Sequence, residues 1–176
     1  FPTEFFLTMA WDPSRWSQDS LDEYSVEWAK REFGPRHAGE IAALINGYTK
    51  LHGRRKPELL APDTYSLINY DEANRVLAEW KQLANRAERI EAELPEDQRA
   101  AFYQLVLYPV ASGANLQELY VTTGRNALYA RQGRTSANDE AKLARALFEK
   151  DHELVRRYHE LNGGKCDGWL KAGEND

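Results

Sequence analysis

The side chains of this sequence that could do chemistry are its 28 acids, its four histidines and one polar cluster at a helix corner. Acid–base cleavage of a glycosidic bond needs two carboxyl groups about 5–9 Å apart. A chain this acidic offers many pairs by chance, and Glu88, Glu91 and Glu93 fall near the polar side of one helical stretch, the pattern of a solvated face. No catalytic residue stands out.

His152 and His159 are seven positions apart on one helical stretch. They share a face but sit about 10 Å apart along its axis, farther than the i,i+4 spacing that lets two imidazoles reach one ion. His37 and His52 lie on other segments, so no metal site is expected. The neighbours Asp151–His152 and His159–Glu160 point about 100° apart on a helix and cannot form a base with its orienting carboxylate. These residues read as surface. The glycines follow no strand and match neither nucleotide-binding fingerprint, and Cys166 is the single cysteine, which excludes an intrachain disulfide and a cysteine-based zinc site. No cofactor is expected.

Two stretches invite more. "LYARQGRTSAND" brings Tyr129, Arg131, Gln132, Arg134, Asn138 and Asp139 to one corner, either to tie down orphaned helix ends or to contact a ligand. "DTYSLINYDEA" sets Tyr65, Asn69 and Tyr70 before a helix start, where rings and amides suit a sugar and an ordinary N-cap equally well.

The elements that must position these groups are helical almost throughout. A first short helix is expected over 4–10, with a break at Asp12-Pro13. Ser20 and Glu23 make a capping box for a helix to Phe33, stopped by Gly34-Pro35. Ile41, Leu44, Ile45, Tyr48 and Leu51 form the stripe of a third, closed by a left-handed Gly53. The stretch 53–70, with Pro57 and Pro62, is the least helical. Apolar residues then recur at three and four over 71–94, and Pro95 takes the first position of the next helix. Pro109 should clash with the carbonyl of Leu105 and kink or break that helix. The stripe resumes beyond Gly113, and Ser136 with Asp139 caps a last long helix closed by Gly163-Gly164. The fold class is all-α, an antiparallel bundle of five to six helices over 1–165. The tail 166–176 is patternless and is expected to fray.

A chain of 176 residues with no fixed-period repeat reads as one domain with its own core. The formal net charge of -5, with its basic residues scattered, argues against nucleic acid as a partner. No apolar run is long enough to span a membrane, and a soluble protein is expected. The opening "FPTEFFLTMAWDPSRW" carries Phe1, Phe5, Phe6, Trp11 and Trp16 without the basic and apolar regions of a secretion signal, so it reads as mature, folded sequence. Those aromatics pack on this chain or on something absent from it.

Five stretches in order, "FFLTMAWDPSRW", "YSLINYDEA", "AFYQLVLYPV", "LYARQGRTSAND" and "LNGGK", resemble the helical domain of family 115 glycoside hydrolases, the xylan α-1,2-glucuronidases. The resemblance runs from Phe1 to Lys165. It implies that the chain is a piece of a large enzyme, which a catalytic barrel precedes and a β-rich domain follows. Phe5, Phe6, Trp11 and Trp16 would then seal the joint to the barrel. After "LNGGK" the sequence departs from the family, with Cys166 and "DGWLKAGEND", as divergence or as truncation with foreign residues.

The resemblance implies an accessory domain that scaffolds the barrel, walls its cleft or makes homo-oligomer contacts. The barrel and β-rich domains and glucuronoxylan oligosaccharides are its expected partners. The parent enzyme would be bacterial, periplasmic or secreted. If any residue reaches substrate, the candidates are Arg131, Gln132, Arg134 and Asn138, because a guanidinium pairs well with a uronate carboxylate. Two alternatives stay open: a stand-alone module that binds glucuronoxylan or other uronic-acid glycans, and a small glycan-active enzyme in its own right.

Overall fold

The computed structural model describes residues 1–168 and 170. Among them there is no strand: the chain is an all-α bundle of helical rods. By contacts it divides into two compact units, Phe1–Gly47 and Tyr48–Asp176, with the division falling inside one helix.

The first unit holds α1 (Pro2–Trp11), a 3₁₀ turn (Gln18–Ser20), α2 (Leu21–Phe33) and the start of α3 (Ala38–Arg54). Pro2 suits the first turn of α1, where its missing N–H leaves no bond unmade. The centre is aromatic. The rings of Phe1, Phe5 and Trp16 surround Tyr24 with centroids 5.4, 4.9 and 5.4 Å away, and Phe1 also meets Trp28 edge-on. Polar bonds tie α2 to α3: Ser25 donates to Asn46 Oδ1 at 3.0 Å, and Asn46 Nδ2 donates to Asp22 at 3.2 Å. The expected capping box lies three residues early, between Ser17 and Ser20, while Ser20 at the N-cap of α2 makes no side-chain cap bond. Serine pairs with serine across the 3₁₀ turn, so the box closes before Glu23 is reached. Gly34 does turn left-handed at the end of α2 (φ 77°), but Gly53 stays helical and α3 continues to Arg54.

The second unit is built on three long rods. These are α4 (Glu72–Glu93), the rod α5 (Glu96–Phe102) that continues through a π-helical turn (Tyr103–Leu107) into α6 (Tyr108–Arg131), and α7 (Ala137–Gly164). The π turn is where the sequence predicts a kink or break. Widening the helix by one residue removes the bond that Pro109 could not make, and the rod passes through. Pro95 sits at the N-cap, one position earlier than expected.

Side chains that bond across rods fix their direction. Tyr103 Oη donates to the carbonyl of Leu154 at 2.9 Å, Asn115 Nδ2 to Leu147 at 2.9 Å and Asn126 Nδ2 to Ala137 at 2.7 Å, so α7 runs antiparallel to the α5–α6 rod. The pairs Asn74–Arg125 and Trp80–Gly113 set α4 antiparallel to α6 in the same way. A Cβ at Gly113 would lie 2.6 Å from the ring of Trp80, which is why the two backbones can approach there. Trp80, Phe102, Tyr103, Val106 and Val110 are fully buried.

The end of α7 closes on Gly163-Gly164, as the sequence leads one to expect. Leu161, Asn162 and Gly163 leave helical geometry, and Gly163 and Gly164 are left-handed at φ 68° and 81°. Ser136 occupies the N-cap of α7 without a side-chain cap bond. Cys166 is buried against Gln104, whose Nε2 donates to Sγ at 2.7 Å, so the start of the predicted fraying tail is anchored. The remainder of that expectation, Trp169 and 171–176, lies outside the described residues.

Candidate functional site

The two stretches singled out in the sequence come together in the second unit, where the loop 60–71 lies against the C-terminal half of α6. The loop is held from within. Ala61 N–H donates to Thr64 Oγ1 at 2.8 Å, Ser66 N–H to Glu72 Oε2 at 2.7 Å and Asn69 N–H to Ser66 Oγ at 2.9 Å. It presses directly on α6, since a Cβ at Gly124 would fall 2.3 Å from the carbonyl oxygen of Pro62. The loop ends on two consecutive non-glycine residues in the left-handed region, Tyr70 and Asp71 at φ 54° and 53°. That conformation costs about 1–2 kcal/mol per residue. Tyr70, 91% exposed, stands in solvent, and Asp71 Oδ1 accepts from Asn74 Nδ2 at 2.5 Å.

Two cavities flank Ser66 and Leu67. One, of about 260 Å³, is mostly apolar and is lined by Pro62, Tyr65, Ile68 and Leu128, with Arg131 at its edge. Burial raises the Tyr65 phenol above its ordinary pKa, with Arg54 pulling the other way, so this group is a neutral donor at physiological pH. The other, of about 250 Å³, is polar: Asp71, Asn74, Arg125, Tyr129 and Glu140 line it. Arg125 donates to Asn74 Oδ1, and Glu140 Oε2 is buried without a hydrogen-bond partner. Carboxylates, amides, guanidinium and ring faces can grip a hydroxylated ligand. Arg131 and Glu140 line different cavities.

The predicted corner is only partly assembled. Arg131 reaches the apolar cavity, whereas Arg134 stacks on Tyr129 with its guanidinium carbon 3.9 Å from the ring centre. Gln132 and Asn138 are exposed, and neither side chain makes a hydrogen bond among the described residues. Asn74, Arg125 and Glu140 were missed because they belong to three different helices; each has the right type, but no spacing rule pairs positions 51 residues apart.

The four aromatics expected at a joint divide. Phe5 and Trp16 turn inward onto Tyr24, while Phe6 and Trp11 are 67% and 92% exposed on α1, beside exposed Leu7. His152 and His159 line one cavity of about 1050 Å³ at the end of α7. His159 is mostly buried rather than on the surface, and it faces Asp167 at 3.7 Å, a carboxylate from beyond the helix and not its sequence neighbour. Among the described residues no group of three or more His, Cys, Asp or Glu could hold a metal ion, and no helix is long and apolar enough to cross a membrane.

Fold and surface thus define an all-helical chain with polar and aromatic clefts and an exposed apolar strip. Residues 1–59, about a third of the chain, match the sequence model of glycosyl hydrolase family 115. The matched stretch contains "FFLTMAWDPSRW", the first of the stretches that carry the resemblance. No curated protein matches the chain.

Proposed function

We propose that the chain is the helical accessory portion of a family 115 xylan α-1,2-glucuronidase, which scaffolds a catalytic barrel and does not cleave glycans alone. The observation that carries this is the strip of Phe6, Leu7 and Trp11, exposed on a helix inside the family-matched stretch. Single exposed apolar residues are ordinary, but a contiguous strip on one helix is the usual mark of a contact surface. In this reading Phe6 and Trp11 meet the barrel, Phe5 and Trp16 hold α1 in place for them, and the β-rich domain is a further partner of the parent enzyme.

The test is release of 4-O-methylglucuronic acid from glucuronoxylan oligosaccharides by the purified chain, run beside calorimetric titration of the same oligosaccharides. No release is expected. Turnover by the chain alone overturns the accessory reading in favour of a small enzyme. Heat without release supports the second reading, a glycan-binding module, which is favoured by the exposed Tyr70 beside cavities lined by Arg125 and Arg131. In that case Arg131→Ala should weaken binding about tenfold.

A further inference from the structure

The first unit contains a cleft that neither the resemblance nor the corner residues account for. It has a volume of about 530 Å³, and its lining includes Trp16, Tyr24 and Trp28 on the aromatic side and Arg15, Lys30 and Arg31 on the charged side. Glu4, Thr8 and Glu27 complete it. We infer that this cleft binds a small organic oxyanion, a carboxylate or a phosphate monoester carried on a ring-bearing body. The inference stands apart from the accessory reading, because it uses none of the exposed strip on α1.

Three observations support it. The first is charge. Three cations face two acids, and Glu4 is committed to Arg31 at 2.6 Å, with Arg31 also bonded to Glu32 at 3.0 Å. Arg15 and Lys30 have no ion-pair partner among the described residues; Asp12 lies near enough to Arg15 for their charges to interact, and within the lining the two cations meet one uncommitted acid, Glu27.

The second is a pair of orphaned donors. Tyr24 is 5% exposed, and its hydroxyl proton meets no acceptor; the Thr8 hydroxyl beside it acts in the donating sense, towards the phenol oxygen. The Trp16 Nε1–H is buried and unpartnered as well. An indole N–H can only donate, so this group needs an acceptor, as a buried polar group left unsatisfied costs about 1–3 kcal/mol. Burial, followed by the charge of Glu4, also raises the Tyr24 phenol, which keeps it protonated and able to donate. An oxyanion supplies acceptors only, and a lone water would leave the two cations unmatched.

The third is shape. Indole and phenol rings line the same cavity as the cations, so a flat apolar body could pack on the rings while its charged end meets Arg15 and Lys30.

The experiment titrates the full chain with benzoate, phenyl phosphate and benzyl alcohol at constant ionic strength, read by tryptophan fluorescence and calorimetry. Saturable binding of either anion is expected, and the tighter of the two assigns carboxylate or phosphate as the preferred head group. The double variant Arg15→Gln/Lys30→Gln, at exposed positions, should weaken it at least about tenfold, and Tyr24→Phe, which keeps the ring and removes only the donor, about tenfold. Lys150→Gln in the second unit should change nothing. Benzyl alcohol binding as tightly as the anions, affinity unchanged in both cleft variants, or no saturation below about 10 mM would each overturn the inference.

Discussion

The two units are held together by different means. The first, Phe1–Gly47, is organised around rings: Tyr24 is met by three aromatic neighbours, Phe5 from α1, Phe1 at its N-cap and Trp16 beyond its end, and α1 has no buried residue of its own. The second, Tyr48–Asp176, is organised around long rods pinned by side-chain amides and hydroxyls that donate to carbonyls of the facing helix, above an aliphatic and aromatic core. Rings on a short helix give a unit that gains area cheaply but leaves its outer face open. Rods with directional pins give one whose register is set at each bond. The contrast implies that the first unit should respond to loss of a single ring and the second to loss of space or register.

The largest effect should come from Trp80→Ala. It empties a fully buried site between His52, 4.9 Å away, and Gly113, and should cost about 3–5 kcal/mol, read as a lower urea midpoint. Tyr24→Ala should cost nearly as much, about 3 kcal/mol, but hydrogen exchange should show the loss confined to 1–47. If exchange accelerates equally in both units, the division is not one of stability. Gly124→Ala sharpens the register argument: the added methyl meets backbone at Pro62 rather than a flexible side chain, and about 2 kcal/mol should be lost together with the order of the loop 60–71.

Two titrations separate the units further, since both groups lie in the second. Burial lowers the pKa of His52, so the folded state favours its neutral form and the unfolded state binds the extra proton. Stability from this group is present above the unfolded value of 6.5 and falls as pH drops below it. His52→Leu should flatten that acid limb. Tyr103 goes the other way: burial pushes its phenol up to about 12 from 10.0, so the unfolded chain ionises first. Stability from Tyr103 is therefore full below pH 10 and is lost as pH rises towards 12, and Tyr103→Phe should remove that slope. The smallest expected change is a gain. Tyr70→Gly relieves one left-handed residue at a position with almost no packing to lose, and should raise stability by about 1 kcal/mol.

Much of the fold was legible because long amphipathic helices repeat their signal many times. The stripe through Val76, Trp80, Leu83, Ala87 and Ile90 needs no tertiary knowledge to read, and all five are buried. Boundaries set by a single residue were not. Gly53 has the composition of a helix end but lies inside α3, and the rule that proline breaks a helix could not foresee that a π turn would absorb Pro109. Cys166 looked like the start of a patternless tail because its partner, Gln104, lies 62 residues earlier. The clefts were hidden for the same reason. Tyr24, Arg15 and Lys30 each read as ordinary helix or loop residues, and only the return of α1 over α2 places them around one space.

The π turn at Tyr103–Leu107 makes the α5–α6 rod behave like a gear with one tooth added. Each helical residue advances the side-chain direction by about 100°. The wide turn takes up its extra residue locally, whereas an ordinary α-helix through the same residues would rotate everything after it by that angle and would set Pro109 against the carbonyl of Leu105. Asn115, Gly124 and Asn126 would then face away from Leu147, Pro62 and Ala137, the groups they now meet. A lineage that kept the residue but lost the wide turn would have to rewrite the whole inner face of α6 at once, so the turn is locked in by the contacts downstream of it.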